Sequence, residues 1–172
     1  VFIAPGLLVA AVVATVLIKF DTPIRINPEV RSIYDFLEDS CKAGDYIHLA
    51  IDYDPGSQAE MHPMTYSIME QILANGNKVV MTALSPNGPG MAEQAMLEIM
   101  DSVRIHTGRD VTYGQDICFL GYKPYPGIVI LSMGQNYRIS FPADYYNTPL
   151  DQIPMMQGIV NYDDVKAVIL IT

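Results

Sequence analysis

The chain has no tryptophan, only two cysteines, and 10 basic residues against 19 acidic ones. The cysteines, Cys41 and Cys118, each lie inside an apolar stretch. That placement excludes a disulfide framework and reads as two small core residues in a reducing compartment. A net charge of −9 excludes a nucleic-acid partner, which needs a basic face, and disfavours lying flat on an anionic lipid surface. Without tryptophan, the aromatic surface rests largely on 11 tyrosines, and the 10 methionines fall mostly on apolar helix faces as core filling. Motifs of high specificity are missing too. There is no Gly-Lys-Ser/Thr phosphate loop, no Gly-x-Gly-x-x-Gly, no Gly-x-Ser-x-Gly elbow, and no His or Cys at metal-ligand spacing. His48, His62 and His106 read as structural or solvated. No metal and no cofactor is expected.

What the chain does have begins at its first residue. Val1 to Ile18 runs 18 positions without a charge before Lys19, roughly 27 Å of helix, close to the thickness of a bilayer core. A cleavable signal peptide would be shorter, with a basic start and a small-residue cleavage site. A buried helix of a globular domain would carry polar atoms over five turns. Residues 1–20 therefore read as a transmembrane anchor, and residues 21–172 as one soluble α/β domain. Lys19, Arg25 and Arg31 favour a cytoplasmic position for it by the positive-inside rule. The start on Val1 and the stop at Thr172, on a strand tip, lead to the expectation that the chain continues at both ends, with a further membrane helix after residue 172.

Helix and strand patterns alternate through the domain. Asn27-Pro28-Glu29 is a helix start; Val30, Ile33, Tyr34, Leu37 and Cys41 recur at helical spacing until Gly44. Tyr46 to Ile51 follows as a strand. A helix marked by Met61, Met64, Ile68, Ile72 and Leu73 stops at Asn75-Gly76. Val79 to Leu84 is the next strand, and Ala92, Ala95, Met96, Ile99, Met100 and Val103 mark a third helix. Three more apolar runs follow at Ile117–Leu120, Ile128–Met133 and Ala167–Ile171. Strands apolar throughout are covered on both faces. The reading is a Rossmann-like three-layer α/β sandwich with a mostly parallel sheet. The Pro/Gly/Tyr-rich stretches at about 121–127 and 134–154 are too long for ordinary connections, and predict an irregular lobe over one sheet edge.

In such a sheet, ligands bind beyond the carboxyl ends of the strands. The first strand ends in Asp52-Tyr53-Asp54, which resembles the first motif of the haloacid dehalogenase-like phosphatases. The resemblance implies Asp52 as nucleophile, Asp54 as proton donor, Ser85 or Thr82 as phosphate ligand, and a Mg²⁺ ion between substrate and carboxylates. The departures are a missing lysine for the third motif and an Asp163-Asp164 pair that precedes the last strand instead of following it. Without the phosphatase role, Asp52 and Asp54 would cap the next helix or shape a turn with Pro55-Gly56. Ser85, Asn87, Gly88 and Gly90 lie in a loop opening a helix, where free N–H groups would suit an anion. A rigid Pro/Gly turn is the other reading of that loop.

A tyrosine-rich lobe carries the other expectation. Tyr122, Tyr125, Tyr137, Phe141, Tyr145 and Tyr146 offer contact area at low entropic cost, suited to a protein–protein interface, or else they fill the lobe's own core. Asp52-Tyr53-Asp54-Pro55, Gly121-Tyr122-Lys123-Pro124 and Asp144-Tyr145-Tyr146-x-Thr148-Pro149 together resemble an uncharacterised prokaryotic family of membrane-anchored α/β proteins. That resemblance implies architecture and membrane location, with no activity attached. The expected function is a non-catalytic, membrane-anchored subunit that docks other subunits of a membrane assembly or copies of itself. The alternative is a tethered enzyme or small-ligand sensor working from the strand-end crevice.

Overall fold

Four short strands, apolar along most of their length, set the architecture. The computed structural model describes residues 25–172. The anchor read at 1–20 lies outside the described residues, and among these no helix is long and apolar enough to cross a membrane. The chain divides into two units, Val1–Ser32 and Ile33–Thr172. Asn27, in the first, opens helix α1 (Pro28–Asp39), most of which belongs to the second, by accepting the Glu29 N–H on Oδ1 at 3.1 Å, as an N-cap residue does.

The second unit carries the sheet. Its strands are β1 (Tyr46–Ile51), β2 (Lys78–Ala83), β3 (Ile117–Tyr122) and β4 (Val165–Ile171), in the order β3-β2-β1-β4 and all parallel. Helices α2 (Gln58–Ala74) and α3 (Gly88–Thr107) connect the first three strands. Their buried side chains, with Leu37 and Cys41, pack on the face formed by Ile47, Leu49, Ile51, Val79, Met81 and Phe119. Each fully buried leucine or isoleucine there contributes roughly 2 kcal/mol. The opposite face holds a second core. Val80, Cys118 and Leu120 meet helices α4 (Pro126–Gln135) and α5 (Tyr137–Ser140) and the 3₁₀ turns that follow, through Val129, Met133, Tyr137, Phe141 and Leu150. This is the three-layer Rossmann-like α/β arrangement.

Three details differ from the sequence reading. The run Ile128–Met133 is the body of α4, started by Pro126 in its first turn; short apolar runs do not reveal their state by periodicity. On α1, Leu37 is buried while Val30, Ile33 and Tyr34 stay half exposed. And β4 is covered on one face only. Among the described residues it is an edge strand paired to β1 alone, with Val168 56 % and Leu170 57 % exposed. The other edge, β3, is closed by loops: Tyr145 N–H donates to Phe119 O at 2.9 Å and Gly114 N–H to Ile117 O at 2.7 Å.

Candidate functional site

Of the strand-end residues singled out in the sequence, Asp52 and Ser85 come together, while Asp54, Asn87 and Gly90 do not join them. Asp52 leaves the tip of β1 and its Oδ1 accepts two backbone N–H groups, from Leu84 at 2.5 Å and Ser85 at 3.0 Å. This clamps the β2–α3 loop to β1. Asp54 serves a different segment: its Oδ1 accepts the Ser57 N–H at 3.0 Å ahead of α2, the turn-shaping role of an Asx residue. The two carboxylates are thus held by different backbones. Among the described residues no group of His, Cys, Asp and Glu is arranged to hold a metal ion.

The loop glycines differ from each other. Gly88 is buried, and a Cβ there would fall within 3.0 Å of the Ile51 carbonyl oxygen, with the Ala83 Cβ at 3.1 Å. It is glycine so that α3 can start against the ends of β1 and β2. Gly90 is exposed and a Cβ there would meet nothing within 4 Å. Asn87 is exposed at the N-cap of α3 and makes no side-chain cap bond.

The histidines form relays that the sequence did not disclose. His62 accepts or donates to Tyr53 Oη through Nδ1 at 2.9 Å, and meets Glu98 through Nε2 at 2.9 Å. Opposite ring nitrogens are engaged, as in a catalytic relay, yet Tyr53 is only 2 % exposed. Ser102 and Glu70 both reach the same nitrogen of His106, Nδ1. A triad needs the carboxylate and the nucleophile on opposite nitrogens, so this cluster joins α2 to α3. His48 is buried with Nε2 on Thr82 Oγ1 and Nδ1 on Tyr137 Oη, both at 2.8 Å. Burial holds its pKa down to about 4, so the ring is neutral at ordinary pH. Burial likewise pushes the Cys118 thiol up to about 12, far from a nucleophile's range.

The lobe's aromatic rings are mostly internal. Tyr137 and Phe141 are fully buried and belong to the second core, which corrects their assignment to a contact surface. Tyr145 lies on Phe119, ring centroids 4.8 Å apart, and Tyr146 Oη donates to Glu93. Buried Asp144 fixes this turn by accepting from Tyr146 N–H, Thr148 N–H and Tyr113 Oη. Tyr122 is half-buried. Of the six tyrosine and phenylalanine candidates, Tyr125 is the most open, 74 % exposed, at φ +63°. A bulky residue held in the left-handed region costs roughly 1 kcal/mol.

Between α4 and the open face of β4 lies a groove of about 510 Å³. Ile130 and Met133 wall it on one side and Val168 and Leu170 on the other, over His48 and Ala50. Asp52, Ser85 and Thr172 stand at its strand-end mouth, and Tyr162 lies among its lining residues. The groove sits where the strand order reverses, between β1 and β4, the place in an open parallel sheet where ligands are received. The sequence signal for it was available in one respect: Asp52 follows an apolar strand. The position of β4 beside β1 was not. No protein-family model, no curated protein and no solved structure matches the chain.

Proposed function

We propose that the chain is a membrane-anchored, non-catalytic subunit whose α/β domain docks other proteins of a membrane assembly or copies of itself. The anchor is the apolar run Val1–Ile18, and the positive-inside reading puts the domain on the cytoplasmic side. The observation that carries the docking role is α4. Its 10 residues include no charged side chain, and while one side packs on the second core, Ile128 is 68 % and Leu131 74 % exposed on the other. Large aliphatic side chains side by side on an uncharged helix face are normally covered. Tyr125, open at the head of the same helix, extends the face, and tyrosine is a favoured interface anchor. The preferred contact surface thus moves from the lobe's interior rings to Tyr125, Ile128 and Leu131.

Changing Ile128→Glu together with Leu131→Glu tests this. In the full chain extracted gently from its native membrane, wild type is expected to migrate in a larger complex and the double variant alone. Unfolding stability should shift by no more than about 0.5 kcal/mol, as for exposed positions generally. A wild-type chain that migrates alone, or a double variant that keeps its companions, would sink the docking role as located.

A further inference from the structure

The groove between α4 and β4 makes a demand that docking on the outer face of α4 does not meet. Its walls are apolar, its volume of about 510 Å³ lies within the range of small-molecule sites, and it opens at the topological switch point. Among the described residues no lysine or arginine lines it, and Asp52 is the one acidic side chain in its lining. Oδ1 of Asp52 is taken by the Leu84 and Ser85 N–H groups, whereas Oδ2 receives no donor among the described residues. From His48 on β1 to Asp52, one residue past the strand's end, the floor spans four residue steps, roughly 13 Å at strand rise. We infer that the groove binds a small elongated amphipathic amine, its apolar body along Val168, Leu170 and Ile130 and its ammonium group on Asp52 at the mouth. An anion is disfavoured there, because it would face a carboxylate with no compensating cation.

The probes are three chains of equal length, n-octylamine, n-octanol and octanoate, titrated calorimetrically into the protein. Octylamine is expected to saturate a single site, and octanoate to bind at least about tenfold more weakly. Asp52→Asn keeps an oxygen to accept the Leu84 and Ser85 N–H groups while removing the charge. It should weaken octylamine by roughly tenfold or more, the loss of one charge-assisted hydrogen bond, and leave octanol unchanged. Ile130→Arg, at a half-exposed wall position, should abolish octylamine binding. Octanoate binding as tightly as octylamine to the unmodified chain overturns the inference without recourse to any variant. So does an Asp52→Asn chain that still binds octanol and holds octylamine at full strength, or the absence of saturable octylamine binding up to about 1 mM. None of these readouts depends on α4's outer face, so failure here and failure of the docking role are separable.

Discussion

Replacing Gly88 with alanine is expected to destabilise the domain by roughly 2–3 kcal/mol, near the upper end of what overpacking costs. The added Cβ would sit within 3.0 Å of the Ile51 carbonyl oxygen, a backbone atom of the central strand β1. Neither partner yields easily, since β1 is paired on both sides, to β2 and β4. Helix propensity favours alanine over glycine by about 1 kcal/mol in a helix interior, so a net loss would show the clash outweighing it. Gly90→Ala is the internal control. Two residues along, its Cβ meets nothing within 4 Å, and the change should be neutral or stabilising by about 0.5 kcal/mol. Urea unfolding of the two full-length variants against the parent chain reads both signs. Equal midpoints for Gly88→Ala and the parent would mean that α3 is not seated on β1, and would reopen the loop as an anion cradle.

That pair of glycines also marks how far the sequence could be read. Both stand in a Ser-Pro-Asn-Gly-Pro-Gly turn, and nothing local distinguishes the one pressed on a carbonyl from the one facing open space. The strands and helices were legible because their signals are local. Tyr46–Ile51 has the bounds of β1, and Asn27 caps α1 ahead of Pro28; the far end was misread, because α1 stops at Asp39, before Cys41 and Gly44. Tertiary order was not legible. β4 looked like an interior strand, and only its position at the sheet edge leaves Val168 and Leu170 exposed. The lobe's rings read equally well as surface or core. Tyr137 became core because it meets His48, 89 residues away in sequence. Asp52 and Asp54 share a motif, yet one clamps a loop from β2 and the other a turn into α2. The alternation that would pair the two carboxylates belongs to a continuing strand, and β1 stops at Ile51, before either of them.

Lowering the pH from 7 to about 4.5 is expected to weaken the fold through His48, with a sign that follows from its burial. Its pKa falls from 6.5 to about 4 in the native state, because burial disfavours the charged ring. Above pH 6.5 the ring is neutral in both states and costs nothing. As pH falls below 6.5 the unfolded chain takes up a proton that the native chain refuses, so stability drops until the native pKa is reached. The full loss is roughly 3 kcal/mol, at 1.36 kcal/mol per unit. His48→Gln removes the titration, so between pH 7 and 4.5 the variant should lose much less stability than the parent in urea unfolding of the full chain. Carboxylates outside the network titrate in both proteins and cancel in the difference. Equal losses in parent and variant would show that the ring is hydrated enough to accept a proton in place. Tyr137→Phe separates hydrogen bonding from charge. It strands Nδ1 of the ring and should cost about 1–3 kcal/mol at pH 7. Its acid dependence should stay close to the parent's, because the imidazole remains buried. The same ring floors the groove, and because its native pKa is about 4, at neutral pH it adds no positive charge to oppose a cation held at Asp52.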